Sequence, residues 1–496
     1  MTYAPNLDPH SLAKELSGFH FIDGALTPAA NGQTFAVINP ANLQEVARVA
    51  DGNGADVDRA VQSAVAAQKL WAKRSPRERG KLVAACAQLF ETHKEELARL
   101  VALETGKAIR TESRVEAGVV ADIFAFFGGL GSEIKGETVP FRADMLVMTL
   151  REPIGVVGAI IPWNVPMLLM ALKIAPALVA GNAVVVKSAE EAPLAVLRMA
   201  QLMGQILPPG IFNLLSGDGP TCGGPLCKHP LVKKITFTGS VATGKIIAHA
   251  AADKLVPVTL ELGGKSPMII MGDADLDRVV DGAVAGMRFT RQGQSCTAAS
   301  RIYVHESLHD IFVSRLKARV DAMKMGDPLD ETTDIGTIIS EQQFNTVQRY
   351  IGIGKATPGA VAHECSQLPE DKAFSHGRYV RPVIFTGLGP ESALIREEIF
   401  GPVTCVQKFT DYEAVLAAAN DSDFGLAATI WTRDLATAMD AVHRLEAGFV
   451  QVNQNLVVQA ALSYGGIKQS GLGKEATLEA MLEHFTWKKT VLISLR

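Results

Sequence analysis

Cys296 has the setting of a reactive thiol. It lies in Gln292-Gly293-Gln294-Ser295-Cys296-Thr297, where small and polar neighbours favour an accessible turn over a core position. A lone cysteine is usually a small buried hydrophobic side chain, so the surrounding residues carry this interpretation. The other cysteines have no comparable setting, and we expect them to be structural: Cys86, Cys222, Cys227, Cys365 and Cys405.

Glu261 is placed to act on a small molecule. It stands near the end of a predicted buried strand, Val258–Leu262, and Gly263 and Gly264 follow. Ligands of α/β sheets bind at the carboxyl ends of strands, and the glycines allow substrate and water to approach closely. A carboxylate in that position can accept a proton from water.

His305-Glu306-Ser307-Leu308-His309 matches the HExxH motif of zinc hydrolases. In that motif both histidines lie on one helical face. Here Arg301–Val304 has a strand pattern and the predicted helix begins at Ser307, so His305 would face elsewhere. We expect surface residues at a strand–helix junction and no metal. A zinc hydrolase acting through His305 and His309 remains a remote alternative.

A glycine-containing turn, Gly239 to Lys245, resembles a phosphate-binding P-loop between a strand and a helix. Ile246 stands where that motif needs Ser or Thr for magnesium, which excludes a nucleoside triphosphatase. Backbone N–H groups at a helix N-terminus still suit a phosphate, although an ordinary turn explains the pattern equally well. There is no convincing GxGxxG motif, so a dinucleotide would not bind in the usual Rossmann manner.

Two α/β units are predicted to position these residues. Short apolar runs alternate with helical segments, which indicates βαβ units and a parallel sheet with helices on both faces. The strands predicted in the first unit are Ile154–Ile161, Ala183–Val186, Phe212–Leu215, Ile235–Thr238 and Val258–Leu262; the helices are Val165–Ala180, Ala192–Gln205 and Val241–Ala251. The pattern restarts at Met268–Met271, which places a boundary near Gly263–Gly264.

The chain on either side of the first unit has its own pattern. The first third is predicted to be helical, with a capping box at Ser75–Glu78 and a helix, Leu97–Glu104, that stops at Gly106. Met145–Arg151 and Lys489–Leu495 have the pattern of edge strands outside both units. Because free strand edges invite pairing, we expect them to contribute to an oligomer contact.

Composition narrows the class of protein. The 496 residues carry a net charge of −4 and are 48% hydrophobic and 20% charged, which is typical of an ordered soluble chain and leaves no basic footprint for nucleic acid. The first 18 residues lack the apolar core of a signal peptide. The most apolar run, Pro153–Leu172, is broken by glycine and proline, so no membrane span is expected and we predict a cytoplasmic protein.

Eight motifs in one consistent order resemble the aldehyde dehydrogenase superfamily, over nearly the whole chain from Asn39 onward. They begin at Leu103, Pro162, Lys187, Phe237, Glu261, Gly293, Glu397 and Gly465, and read LETGK, PWN, KSAE, FTGS, ELGGK, GQSC, EEIFGP and GGIKQSG. The resemblance implies a cofactor domain (1–130 and 151–262), a catalytic domain (263–472) and a small β oligomerisation arm (131–150 and 473–496). It also implies a homodimer or homotetramer.

The resemblance implies a chemistry for three residues. Cys296 would attack the aldehyde as a thiolate. The Asn164 side chain and the Cys296 backbone N–H would hold the oxyanion. Glu261 would activate the water that hydrolyses the thioester, so the product would be a free carboxylic acid. A non-catalytic member of the same fold is a further alternative, and the complete set of three residues argues against it.

It implies NAD as cofactor, with NADP possible. Lys187 and Glu190 would contact the adenosine ribose, where Glu190 would repel a 2′-phosphate. Ser240 would meet the pyrophosphate at its helix N-terminus. The remaining contacts would come from Trp163, Gly239, Leu262, Glu398 on the nicotinamide ribose and Phe400 beside the nicotinamide ring.

The substrate is the open question, because several positions depart from the family's usual pattern. Val165 and Leu172 replace frequent aromatics, and with Met167 and Met170 they indicate a flexible aliphatic pocket, suited to a neutral medium-chain or aromatic aldehyde. Arg291 replaces a small polar residue and opens the alternative of a semialdehyde whose carboxylate it would bind. Ser463 and Tyr464 stand where the family usually has Pro and Phe.

Overall fold

The computed structural model describes residues 4–455 and 458–496, and an eight-stranded sheet organises its first half. In spatial order the strands are Ala25–Pro28, Phe19–Ile22, Phe212–Leu215, Ala183–Lys187, Val156–Ile160, Val232–Thr238, Val258–Glu261 and Gly471–Leu472. The five from Phe212–Leu215 to Val258–Glu261 run parallel, which confirms the predicted βαβ unit. Strands at both edges are antiparallel.

Helices cover this sheet, and several of them begin at a residue whose side chain caps the helix. Asn53 and Ser75 each form a capping box, with Asp56 and Glu78 respectively, and Gly106 ends its helix in the left-handed region at φ 74°. The helices of this half of the chain are Pro9–Glu15, Gly54–Trp71, Pro76–Thr92, Lys94–Thr105, Arg114–Gly129, Pro166–Val179, Leu194–Met203, Gly224–Lys228 and Val241–Lys254. Shorter π-helical or 3₁₀ turns are Ile109–Ser113, Leu130–Glu133 and Gly219–Gly223.

The prediction of a helical first third is wrong in part, because two strand pairs precede the helix that begins at Gly54. Phe19–Ile22 pairs with Ala25–Pro28 through Asp23 and Gly24, both with positive φ. Thr34–Ile38 pairs with Glu45–Ala50. An Asp-Gly dipeptide between apolar residues is a strong hairpin signal, because both central positions of the turn need positive φ.

A second, seven-stranded sheet confirms the second α/β unit. Its spatial order is Val361–Glu364, Val383–Thr386, Val403–Phe409, Arg301–His305, Pro267–Ile270, Ala427–Trp431 and Phe449–Val452. Only the pairing of Val361–Glu364 with Val383–Thr386 is antiparallel among these neighbours. The helices and 3₁₀ turns of this half are Leu276–Met287, Phe289–Arg291, Glu306–Asp321, Glu341–Ala356, Lys372–Phe374, Ala393–Arg396, Tyr412–Asn420 and Leu435–Arg444.

The two predicted edge strands pair with each other. Thr486–Ser494 runs antiparallel to Met145–Pro153 over nine consecutive residue pairs, and Thr138–Val139 adds a third strand. The helix Leu478–Phe485 directly precedes the strand Thr486–Ser494. Phe424–Gly425 pairs antiparallel with Ile467–Lys468. The division into cofactor domain, catalytic domain and arm stays a proposal, supported by the three larger sheets.

One helical segment, Ile109–Glu133, is long and apolar enough to cross a membrane by length and composition alone. Its helix Arg114–Gly129 packs against Pro76–Thr92 and Pro166–Val179, as a core helix does. The run Pro153–Leu172, which the sequence singles out, forms the predicted strand, turn and helix instead.

Candidate active site

Two loops that follow the carboxyl ends of neighbouring strands in the first sheet form one wall of a cavity. Val156–Ile160 leads into Trp163 and Asn164, and its neighbour Val232–Thr238 leads into Gly239 and Ser240. The order of the strands reverses between these two, and such switch points open a crevice for ligands. A cavity of about 340 Å³ lies there. Most predicted site residues line it: Trp163, Asn164, Gly239, Ser240, Leu262, Cys296, Glu398 and Phe400.

A tightly constrained loop carries Cys296 into this cavity. Gln292 and Gly293 have φ of 57° and 63°, and a Cβ on Gly293 would lie 2.1 Å from the Gly401 carbonyl oxygen, so only glycine fits. The Gln294 side-chain amide donates to the Thr337 carbonyl at 3.1 Å and accepts from the Ile339 N–H at 3.1 Å. The loop therefore holds Cys296 in one place.

The Cys296 thiol is half-buried, and its pKa is raised to about 11. Burial is the main cause, and the Glu398 and Glu261 carboxylates add to it. A hydrogen bond with the Tyr464 hydroxyl, 3.3 Å from Sγ, and the charge of Arg291 act in the opposite direction. Tyr464 and Arg291 thus limit how far the pKa of the thiol rises.

Asn164 is buried beside the nucleophile loop, and its Nδ2 donates to the Gln294 carbonyl at 3.3 Å. Lys107 Nζ donates to the Asn164 carbonyl at 3.0 Å and forms a buried ion pair with Glu116. Glu116 in turn accepts from the Met167 N–H at 2.9 Å, in the first turn of the following helix. A buried network of charges thus fixes the loop that presents the Asn164 amide.

Glu261 is the last residue of its strand and is 2% exposed. Neither carboxylate oxygen has a hydrogen-bond partner among the described residues. Burial, reinforced by Glu475, raises the pKa of this carboxyl well above its usual range, while Lys173 lowers it. An unpartnered carboxylate of raised pKa is a competent proton acceptor for a water molecule. Glu261 is not among the residues lining the cavity.

Ser240 caps the helix Val241–Lys254, with Oγ accepting from the Thr243 N–H at 3.2 Å. Gly239 and Ser240, at this helix end, line the first cavity, and backbone N–H groups at a helix N-terminus stabilise a phosphate. A second cavity, about 760 Å³, is lined by Lys187, Gly223, Gly224, Thr243 and Ile247. Lys187 Nζ pairs with Glu190 at 2.9 Å. Two cavities on either side of one helix N-terminus suit an elongated ligand with a central phosphate.

Glu398 and Phe400 line the other side of the first cavity. Glu398 Oε1 accepts from the Gly264 N–H at 2.9 Å, and burial raises its pKa to about 7. The Phe400 ring lies edge-on to Trp163, with centroids 5.3 Å apart. Gln343 donates to the Phe400 carbonyl at 2.9 Å and also lines the cavity. No sequence motif pointed to Gln343, because its role depends on a helix brought in from the second sheet.

Arg291 lies close to the nucleophile but is already paired. Its Nε donates to Glu112 Oε2 at 2.8 Å, a second guanidinium nitrogen binds the same oxygen, and both side chains are buried. Its charge is therefore balanced within the protein, which weighs against its predicted contact with a substrate carboxylate.

The two histidines of the HExxH sequence lie apart from this cavity. His305 is the N-cap of Glu306–Asp321, which begins one residue before the predicted Ser307, and its Nδ1 bonds the Ser307 hydroxyl at 2.8 Å. His309 Nδ1 binds Asp310 at 2.7 Å. Within residues 4–455 and 458–496, no group of three or more His, Cys, Asp or Glu side chains could hold a metal ion. The zinc alternative therefore has no donor set in the described structure.

Comparison with known proteins identifies the family. The family model described as "Aldehyde dehydrogenase family" matches residues 27–491. This chain belongs to the aldehyde dehydrogenase family. An aldehyde dehydrogenase from Bacillus cereus, solved as an NAD⁺ complex, superposes with a TM-score of 0.94 at 35% identity and covers 100% of both chains.

Two further relatives have the same fold. A putative aldehyde dehydrogenase from Burkholderia cenocepacia has a TM-score of 0.93 at 37% identity, over 97% of this chain and 98% of the other. A betaine aldehyde dehydrogenase from Staphylococcus aureus, solved with NAD⁺, has a TM-score of 0.94 at 35% identity, over 99% of this chain and 97% of the other. The similarity therefore extends over the whole length of this enzyme.

Proposed function

We propose that the enzyme oxidises an aldehyde to the carboxylic acid, with Cys296 as nucleophile, Asn164 as oxyanion donor and Glu261 as base. The observation that carries the proposal is the shared cavity. Cys296 and Asn164 line it together with Ser240, Glu398 and Phe400, so a carbonyl carbon bound to Cys296 would lie beside the cofactor.

In the first half of the reaction the Cys296 thiolate attacks the carbonyl carbon. A C–S bond forms, and the carbonyl electron pair moves to oxygen. The Asn164 amide and the Cys296 N–H hold that oxyanion, and one such donor contributes about 2.7–4 kcal/mol in other enzymes. NAD held beside Ser240, Glu398 and Phe400 would supply the hydride acceptor, and loss of hydride from this carbon would leave a thioester on Cys296.

In the second half Glu261 takes a proton from a water molecule, and the resulting hydroxide adds to the thioester carbon. The C–S bond breaks, the thiolate of Cys296 leaves and the acid is released. Neither Glu261 oxygen has a hydrogen-bond partner in the described part of the chain, which supports this role, because both can accept from a water molecule.

The residues present fit NAD. Ser240 would hold the pyrophosphate, and Glu398 and Phe400 the nicotinamide half, with Trp163, Gly239 and Leu262 as the walls between them. Lys187 and Glu190 would meet the adenosine ribose. We propose a preference for NAD over NADP, because the Glu190 carboxylate can accept from a 2′-hydroxyl and repels a 2′-phosphate. A Glu190→Gln variant whose ratio of kcat/KM for NAD to NADP equals that of the wild type would refute this preference.

We propose a neutral medium-chain or aromatic aldehyde as substrate. Val165, Met167, Met170 and Leu172 are buried around the start of the helix that follows Asn164. Aliphatic and thioether side chains adapt to apolar groups of varied shape, which supports an uncharged substrate.

An aldehyde that also bears a carboxylate is the second candidate, and Arg288 favours it. The Nε of Arg288 is buried without a hydrogen-bond partner among the described residues, and its Nη2 reaches only the Asn455 carbonyl, at 3.4 Å. Arg288 sits on the same loop as Cys296, and its charge is felt by Cys296 and Tyr464. Unlike Arg291, Arg288 keeps hydrogen-bond donors that a substrate carboxylate could bind.

NADH formation by the purified enzyme with neutral and carboxylate-bearing aldehydes tests the function and both candidates. We expect turnover that disappears in Cys296→Ala. Under the second candidate, Arg288→Gln raises KM for the acidic aldehydes only. Aldehyde-independent NADH formation, or full activity of Cys296→Ala, would contradict the proposed function.

We also propose a homodimer or homotetramer through the sheet of Met145–Pro153 and Thr486–Ser494, where Leu492 is 59% exposed. Sedimentation would show the oligomeric state.

A further inference from the structure

Tyr464 places its hydroxyl against the proposed nucleophile. Its Oη lies 3.3 Å from Cys296 Sγ, although the two residues are 168 positions apart in the chain. The side chain is 4% exposed, and its ring lies edge-on to Phe449 with centroids 5.8 Å apart. Buried tyrosine hydroxyls find a hydrogen-bond partner, and here Cys296 is the partner that the described structure offers.

Two backbone hydrogen bonds fix the position of Tyr464. Its N–H donates to the Glu475 carbonyl at 3.1 Å, and the Glu475 N–H donates back at 2.7 Å. The next residue, Gly465, has φ +146° and borders the Glu261 carboxylate. One dipeptide thus touches the nucleophile with its first residue and makes room for the base with its second.

The direction of the hydrogen bond follows from protonation. Burial raises the pKa of Tyr464 well above its usual range, so Oη keeps its proton at neutral pH. A thiolate has no proton to give, so Oη must donate to it, and a bond to the charged form favours that form. The other charged groups near Sγ are Glu398 and Glu261, which oppose ionisation, and Arg291 and Arg288, which favour it.

We propose that Tyr464 is a catalytic residue of this enzyme, whose hydroxyl donates a hydrogen bond to the Cys296 thiolate and stabilises the nucleophile in its charged form. The proposal rests on the proposed function of Cys296. The bond is strongest when sulfur carries the charge, before attack and again when the thiolate leaves the thioester. The usual Phe of the family at this position would lack it.

The Tyr464→Phe variant isolates the hydroxyl, because the ring and its packing on Phe449 remain. Loss of a hydrogen bond to a charged group should raise the thiol pKa by about one unit, which lowers the thiolate fraction about tenfold below that pKa. The more basic thiolate is intrinsically more nucleophilic, by about threefold per unit. The net expectation is about threefold slower alkylation at neutral and mildly alkaline pH, below the thiol pKa of both proteins.

Rates of Cys296 alkylation by iodoacetamide, measured against pH in wild type, Tyr464→Phe and Tyr379→Phe, test this. Tyr379 is a buried tyrosine whose hydroxyl donates to the Gly326 carbonyl at 2.9 Å, so its variant controls for the loss of any buried hydroxyl. Alkylation of Tyr464→Phe that is about threefold slower than that of the wild type at neutral and mildly alkaline pH, with Tyr379→Phe equal to the wild type, supports the proposal. Superimposable profiles, or an equal shift in Tyr379→Phe, overturn it. Unchanged labelling in Cys296→Ala would instead refute the reactive thiol, and with it the proposed function.

Discussion

Gly465 lies against the Glu261 carboxylate so closely that a Cβ on this glycine would be 2.6 Å from Oε1. The contact places a glycine of the C-terminal GGIKQSG motif directly beside Glu261 of the ELGGK motif, the proposed base. The two motifs are therefore parts of one structural unit. The absence of a side chain on Gly465 leaves space for the Glu261 carboxylate.

Replacement of Gly465 by alanine should impair the proposed base, Glu261, and leave the proposed nucleophile, Cys296, unaffected. The new methyl group would displace the carboxylate, and φ +146° is strained for any residue with a Cβ. We expect slower thioester hydrolysis with normal hydride transfer, seen as a burst of NADH followed by a slow steady state. Gly352→Ala is the matched control, because a Cβ there meets nothing within 4 Å. Equal effects of both substitutions would contradict this explanation.

The rate of thioester hydrolysis should depend on pH through Glu261. The carboxyl has a raised pKa and accepts a proton only when ionised, so hydrolysis should fall as pH is lowered through that raised pKa. Steady-state rates across pH, compared with the amplitude of the NADH burst, separate this step from hydride transfer. A rate that stays flat in Glu261→Gln as well as in the wild type would remove Glu261 from the mechanism.

Asn164→Ala should remove an oxyanion donor and leave the cofactor site intact. In other enzymes the loss of one such donor lowers kcat about 10²–10³-fold, and we expect a fall of that order. Binding of NAD, followed by fluorescence quenching, should remain unchanged, because the contacts of Lys187, Ser240 and Glu398 do not involve this side chain. A fall in NAD affinity with an unchanged kcat would assign Asn164 to the cofactor instead.

Arg291 should matter for stability more than for substrate charge. Removing one member of a buried ion pair costs about 3–5 kcal/mol, because the other charge is left unpaired. Arg291→Met should therefore lower the thermal midpoint strongly, whereas Arg291→Met combined with Glu112→Met should recover part of the loss. Unchanged stability together with a higher KM for acidic aldehydes would restore Arg291 to the role of a substrate-binding residue.

Local patterns predicted much of this architecture, and long-range contacts could not be read from them. The strands Ala183–Lys187 and Phe212–Leu215 are buried apolar runs with clear ends, so the sequence places them within a residue. The hairpin around Asp23–Gly24 carried a local signal that was missed. By contrast, the pairing of Arg291 with Glu112 spans 179 positions. Nothing in a local pattern specifies which distant side chain balances a charge.

The motifs that carry the resemblance contain eight predicted site residues that line the first cavity, including Ser240 and Phe400. They could not indicate that a hydroxyl at position 464 reaches Cys296, because that contact depends on how the C-terminal segment returns to the first sheet through Gly471–Leu472.

Mass spectrometry of the trapped acyl-enzyme tests the central claim most directly. Glu261→Gln is incubated with NAD and an aldehyde that the wild type oxidises, and the protein is then digested and analysed. We predict one acyl group, with the mass of the aldehyde minus one hydrogen, in place of the thiol hydrogen of the peptide that contains Cys296. NADH formation with no adduct on Cys296, or an adduct on another cysteine, would contradict the account.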